Sequence, residues 1–475
     1  MKTTPYKHQA EEFEISKDLK TRALFWEMGT GKTKLIIDTA WHLYEKGEIN
    51  ALVVFAPNGV HRNWITDEVP AHGWSDDWDG LYWVSGSAKT KKSEEERNRI
   101  LDHDGLIIVA INYDAARTDI ADKFVNTILR ERDVMMVLDE SARIKNPSAQ
   151  RTKKVMKYGE KAKYKRILTG TPVSNGPFDV YSQINFLDPM VWAKLGCRAF
   201  SSFKRYFGVF QRQHMGGRQF DQLVAYRRLD KLKEAIDPLV TRVTKDEVLD
   251  LPDKIYKIHP VELSAEQKRL YKHLSEDFVA VMDDDEIIDA PLAIVRLLRL
   301  QQIVCGYTGT DTDDLKLLKD NPRITALKEL MEDVVDQSIV WARFQQDIDL
   351  IEEALTKMGK TVVVYDGRTS DAMRKRAIKD FRDGTADVFL ANPAAAGEGL
   401  TLTEAKVVVY YNNSFRLDER LQSEDRAHRI GQDRSVVYYD LVAHGTVDEH
   451  IVAALRSKID IASQVTGDTI RDWVK

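Results

Sequence analysis

Apolar and polar positions sort this chain into strands and helices before any motif is read. From Ala23 onward the short apolar runs ALFW, ALVVFA, LIIVA, VMMVLDE and RILTG are separated by longer helical patterns such as KTKLIIDTAWHLYEKG. Runs that are apolar throughout, rather than at every second position, suit strands buried on both faces. The pattern therefore predicts a parallel sheet with helices on both sides. A second series begins near Ser338 with SIVWA, TVVVYDG, ADVFLA, KVVVYY and SVVYYDLV, again separated by helical stretches such as AMRKRAIKDFRDG. The expected fold class is α/β, with two similar parallel-sheet lobes.

Between the two series, Ser174 to Gln337 reads mainly as helix, and the acidic run DDDEIID at Asp283 to Asp289 reads as a solvated turn. Pro252 and a new β-like run coincide in LPDKIYKIHPVELS, which places a boundary near Leu251. The expected domains are 1–250, with a helical protrusion from about 174, and 251–475, with a helical insertion at about 264–337. A length of 475 residues agrees with two cores rather than one.

Composition narrows the function. A formal charge of -5 argues against coating nucleic acid by bulk electrostatics, so any such binding needs a local basic surface. One candidate is Arg198 to Lys233, with nine Lys and Arg against Asp221 and Asp230 and with interleaved aromatics. It reads either as a phosphate- and base-binding face or as a solvated basic face over inward-packed rings. The two cysteines, Cys197 and Cys305, lie far apart and read as plain buried thiols. No apolar run is long enough to cross a bilayer and no secretory signal is legible, so the expectation is a cytoplasmic protein without a membrane partner.

The chemistry starts at WEMGTGKT, Trp26 to Thr33. A strand ends, Gly29 and Gly31 frame Thr30, and Lys32 and Thr33 open a helix. Glycines let backbone N–H groups approach a phosphate and the helix N-terminus adds its dipole. Lys32 can reach β- and γ-phosphates, and Thr33 offers Mg²⁺ a hydroxyl. The loop predicts ATP and Mg²⁺. VMMVLDES then places Asp139 and Glu140 at the end of an apolar strand, where an open sheet binds its ligand. Asp139 is the expected metal carboxylate and Glu140 the expected general base. The plainer reading, an acidic pair that caps the next helix through Ser141, competes with it.

Near the far end, QSEDRAHRIGQ sets Arg426 and Arg429 three residues apart on a predicted helix, hence on one face. Two guanidinium groups could meet the charge that spreads over a transferring γ-phosphate.

With these residues in hand, the chain resembles the Swi/Snf group of superfamily-two helicase-like ATPases over nearly its whole length. PYKHQ looks like the adenine-sensing segment, with Gln9 as the glutamine. WEMGTGKT, FAPNGVHRNW, INYDAAR, LDESARIKN and LTGTPVSN follow in family order. IVWARFQQDIDLIEEAL, VYDGRTS, AAGEGLTLTEA and QSEDRAHRIGQ resemble the second-lobe motifs, in which Gln422 joins the nucleotide site. The resemblance implies two RecA-like lobes of the P-loop NTPase class with helical protrusions inserted between and within them. It also implies an ATP hydrolase working as a translocase on double-stranded DNA. Strand contacts are expected at Arg62, Lys145, Arg343, Arg368 and Thr401, with ATP held by Lys32 and met by the two arginines. The alternatives are a strand-separating helicase, whose wedge would be the aromatic segment Phe203 to Phe210, and a nucleotide-gated DNA-binding subunit with little turnover.

Some positions depart from the family pattern. DESA stands where DEAH is usual, so Ala142 cannot supply the histidine that couples hydrolysis to Thr169–Pro172. Ala396, Thr401 and Phe415 replace a glycine, an asparagine and a tryptophan, and no Asn-Pro follows Phe415. Since the chain starts close to Gln9 and stops soon after the arginine motif, the expectation is a bare, monomeric motor of bacterial or phage type, brought to its work by a recruiting partner that the sequence does not name.

Overall fold

The computed structural model of the chain describes residues 1–215, 218–283, 290–310, 313–396 and 400–468. The acidic run falls almost wholly on 284–289, outside the described residues, as do Gly397 to Gly399 of AAGEGLTL. The chain divides into two compact units. One comprises Met1–Val209, Ala225–Asp250 and Ile461–Asp468, and the other includes Phe210–Val224 and Leu251–Asp460. Among the described residues, no helix is long and apolar enough to cross a membrane.

The first unit is built on a seven-stranded sheet. Its strands are β1 (Thr21–Trp26), β2 (Ala51–Ala56), β3 (Trp78–Tyr82), β4 (Leu106–Asn112), β5 (Val134–Asp139), β6 (Tyr164–Leu168) and, after β7 (Gly208–Met215) and β8 (Arg218–Tyr226), β9 (Val240–Val243). The order is β3-β4-β2-β5-β6-β1-β9, and every pairing is parallel. Successive side chains enter opposite cores. Phe25, Val53, Phe55, Val109 and Met136 pack on one face, and Leu24, Trp26, Val54, Ile108 and Val137 on the other. Burial on both faces is why these strands are apolar without alternation. The register pairs Leu24 with Leu168 and Asp139 with Leu168. The loops after β1, β5 and β6 therefore leave from the same carboxyl edge.

The second unit carries a six-stranded parallel sheet of β10 (Lys254–Val261), β13 (Ser338–Trp341), β14 (Val362–Tyr365), β15 (Val388–Ala391), β16 (Val407–Tyr410) and β17 (Val436–Ala443). Its order is β10-β17-β16-β13-β15-β14. A separate pair, β11 (Tyr307–Thr310) and β12 (Asp313–Leu317), is antiparallel. Val340, Leu390 and Val409 fill one core, and Ile339, Trp341, Phe389 and Val408 the other.

Among the described residues from Ser174 to Gln337 helix is the main element, and β7 to β12 interrupt it. β7 and β8 pair with each other and β9 is a sheet edge. Such strands are half-solvated, so their sequences lack the continuous apolar run that marks β2 or β5. Cys197 and Cys305 are buried and free.

Candidate active site

The loop after β1 has the left-handed turns that its glycines allow, with φ of 78° at Gly29 and 83° at Gly31. Gly31 is the N-cap of α2 (Lys32–Glu45), whose first N–H groups open into the loop. The helix before β1, α1 (Lys7–Ser16), clamps the turn from outside. Gln9 Nε2 donates to the Gly31 carbonyl at 2.9 Å, and Gln9 Oε1 accepts from the Tyr6 N–H at 2.7 Å. A ring nitrogen of His8 lies 2.8 Å from the Thr30 carbonyl oxygen. Lys32 is folded back, its Nζ donating to the carbonyls of Trp26 at 2.9 Å and Glu27 at 3.0 Å. Those neutral acceptors hold the ammonium inside the loop, where a phosphate would be the stronger acceptor. Trp26 is wholly buried at the end of β1.

Asp139 ends β5 and is 7% exposed. Burial pushes its carboxyl pKa upward; the Trp64 N–H, the Lys32 charge and the Glu140 N–H pull the other way. Trp64 Nε1 donates to Asp139 Oδ2 at 2.9 Å and Tyr113 Oη donates to the Asp139 carbonyl at 2.8 Å. A buried carboxylate whose ionised form is disfavoured gains from a nearby cation. With Thr33 at the helix start, it matches the sparse donor set of a nucleotide-bound Mg²⁺, which keeps waters and phosphate oxygens as its other ligands. Among the described residues, no group of three His, Cys, Asp or Glu side chains could hold a metal unaided.

Glu140 takes a left-handed backbone, φ 50° and ψ 57°. For a residue with a Cβ this costs about 1–2 kcal/mol. The turn swings the chain into a short 3₁₀ segment, Ser141–Ile144. Thr169 Oγ1, just beyond β6, donates to Glu140 Oε2 at 3.1 Å and accepts from the Thr171 N–H at 3.1 Å. A Cβ added to Gly170 would stand 3.3 Å from the Met28 backbone nitrogen, so this turn lies against the phosphate loop. The Ser141 hydroxyl donates to Gln183 rather than capping a helix, which sets the capping reading aside.

In the second unit, the helix expected to carry both arginines, Leu417–Glu424, ends before either of them. Tertiary bonds take over there. The Arg426 carbonyl accepts from the Leu402 N–H at 2.9 Å, and Gln432 Nε2 donates to Thr403, Ala405 and Ala427 carbonyls. The guanidinium groups nevertheless converge. Arg426 Nη1 donates to the Leu400 carbonyl and Arg429 Nη1 to Thr401 Oγ1, each at 3.1 Å. Arg426 is 4% exposed and Arg429 is half-buried, as is Gln422 on the preceding helix.

The residues expected on the DNA strand have varied surroundings. Arg62 is exposed, over the Tyr82 ring. Lys145 Nζ donates to Ser174 Oγ at 2.7 Å. Arg343 lines a cleft of about 290 Å³ with Asn392, Asn412, Ser414 and Arg416, and donates to the neutral Gln301 at 2.7 Å. Burial lowers its pKa. Arg368 is bound by Asp349 and Asp366, so its charge is already met within the fold. The Thr401 carbonyl accepts from Arg382. In the basic stretch, Phe203 and Phe207 are core residues, and Arg227 and Arg228 turn back to the Tyr206 carbonyl. That favours the packed reading there.

Trp64, Tyr113, Thr169 and Gln183 were not among the expected site residues. Each of the first three stands in a segment matched to the family. Gln183 had only a faint signal, an amide inside the apolar helix VYSQINFL.

A family described as the SNF2-related domain matches residues 15–306, more than half of the chain, and the helicase conserved C-terminal domain matches residues 322–431. The chain belongs to the SNF2-related family of helicase-like ATPases. A chromatin structure-remodeling complex subunit of Schizosaccharomyces pombe is 25% identical over 92% of this chain and 37% of its own length. An uncharacterized ATP-dependent helicase of Mycoplasma genitalium is 26% identical over 92% of this chain and 39% of its own length. The chain thus spans well under half the length of these curated relatives. The solved Sulfolobus solfataricus SWI2/SNF2 ATPase core in complex with dsDNA is 25% identical, with 98% of this chain and 95% of that one covered and a TM-score of 0.43.

Proposed function

We propose that this SNF2-related chain hydrolyses ATP in a DNA-dependent manner and couples hydrolysis to movement along double-stranded DNA. The observation that carries the reading is the meeting, at one carboxyl edge, of the Lys32 loop, Asp139, Glu140 and Thr169. Lys32 exchanges the Trp26 and Glu27 carbonyls for β- and γ-phosphate oxygens. Thr33 and Asp139 would hold Mg²⁺, which would neutralise charge on the phosphates. Glu140, oriented by Thr169, accepts the proton of the attacking water. Arg426 and Arg429 are the groups that meet the γ-phosphate charge as it transfers, and Arg62, Lys145, Arg343, Arg368 and Thr401 are the proposed strand contacts. Arg343 has the strongest support, because it is half-buried beside an open cleft and bonds the neutral Gln301, with Glu419 also on the cleft wall.

Contacts made to phosphates rather than bases predict weak sequence preference and steep salt dependence. Two rings of the segment that would form a strand-separating wedge, Phe203 and Phe207, are wholly buried, which counts against that alternative, while Tyr206 and Phe210 are half-buried. The test pairs triplex displacement with duplex unwinding. ATP-driven removal of a triplex strand without unwinding is the expected result, and unwinding without displacement would overturn it. Hydrolysis that no nucleic acid stimulates would instead indicate a gated binder.

A further inference from the structure

We propose that Gln183 is a positioning residue for Glu140, through a closed ring of buried hydrogen bonds. The proposal rests on the reading of Glu140 as the base. Thr169 Oγ1 donates to Glu140 Oε2 at 3.1 Å. The next residue, Ser141, donates through Oγ to Gln183 Oε1 at 2.8 Å. Gln183 Nε2 then donates to the Pro172 carbonyl at 2.8 Å and to the Asp179 carbonyl at 2.9 Å. From Pro172 the chain leads back three residues to Thr169, and the ring closes.

Ser141, Thr169 and Gln183 are fully buried. Water cannot replace their bonds, so each broken bond leaves a polar group without compensation. The ring ties the acidic turn to the 169–172 turn on both sides of Glu140. One tie reaches the carboxylate itself and the other reaches the side chain of the next residue, Ser141. A strained left-handed residue is held only where its surroundings over-determine it, and this ring supplies that restraint. The 169–172 turn also lies against the phosphate loop at Met28. A change at the phosphates can therefore reach Glu140 through rigid, bonded parts. Gln183 does this while Ala142 offers no polar side chain, so the amide of one helix carries the link between the two motifs.

The experiment measures kcat and KM for ATP with saturating duplex DNA, together with Tm, in Gln183→Leu, Ser141→Ala, the double variant and Glu140→Gln. Positioning predicts at least a tenfold fall in kcat for Gln183→Leu, with KM within about twofold. Ser141→Ala, which changes no packing volume to speak of, should show a smaller fall of the same kind. The double variant should be no worse than Gln183→Leu, because both changes open one ring. A lower Tm with unchanged kcat, or additive losses, would show a merely structural amide and overturn the proposal. An active Gln183→Leu beside an inactive Glu140→Gln overturns the ring alone. An active Glu140→Gln removes the base, and the proposal falls with it.

Discussion

The Gln9 side chain donates to the Gly31 carbonyl at 2.9 Å, and a Cβ on Gly31 would stand 2.1 Å from that same nitrogen. The glutamine and the glycine therefore define the phosphate loop together, one by its amide and the other by having no side chain. Gly31→Ala should cost about 1–2 kcal/mol, since φ is 83° there and Gln9 must move. It should also abolish the ATP-induced rise in Tm. A normal ATP-dependent shift in this variant would mean that the loop geometry is not what binds nucleotide.

Lys32 and Arg429 separate binding from chemistry. Lys32→Ala should lose both the nucleotide-induced Tm shift and turnover. Arg429→Ala should keep the shift and lower kcat by roughly 10³-fold or more. Arg429 is the cleaner probe, because Arg426 is buried against Leu400 and its removal also disturbs the fold. Equal losses of binding in both variants would contradict this division.

Burial raises the Asp347 carboxyl to about 6 from 3.8, against the pull of the Asn412 amide, which donates at 2.5 Å. Between those values the folded chain keeps a proton that the unfolded chain has released, so this group makes stability fall as pH rises from about 4 to 6. Above pH 6 the penalty is constant, at about 3 kcal/mol. Asp347→Asn should remove that fall and be the more stable protein at neutral pH. Urea titrations of both proteins at pH 5 and 7.5 measure it, and a variant less stable at both would refute it.

Glu424 shows the opposite sign. Burial alone would raise its pKa, but Lys254 and Arg420, with the Tyr256 hydroxyl donating, hold it at about 2. Its contribution is present above the unfolded value near 4.5 and disappears as pH drops toward 2. Glu424→Gln takes one carboxylate from the buried Arg420 and the half-buried Lys254 and should cost about 3–5 kcal/mol at neutral pH. The gap between the variant and the unaltered protein should narrow on acidification, and a gap independent of pH would show that packing, not charge, is lost.

Much of this was legible along the chain. β2, β4 and β5 announce themselves as unbroken apolar runs because both faces are covered. β3, with the sequence WDGLY, and β9, with VTRV, do not, because an edge strand buries less and tolerates polar residues. The arginine motif was recognised, yet its helix ends at Glu424, since a bond from Leu402 to the Arg426 carbonyl is set by tertiary contact and not by helical periodicity.

The signals readable along the chain are local: a strand, two glycines and a Lys-Thr at a helix start, and an Asp-Glu at a strand end. These signals lie within a few consecutive residues, and backbone sterics and burial translate them directly into geometry. The long-range partners depend on how the chain folds back on itself. Trp64 reaches Asp139, Thr169 reaches Glu140, and Gln183 joins Ser141 to Pro172. Those bonds link residues 29 to 75 positions apart, except for the 11 between Pro172 and Gln183. Only the parallel register, which brings separate loops to one sheet edge, puts them within hydrogen-bond reach.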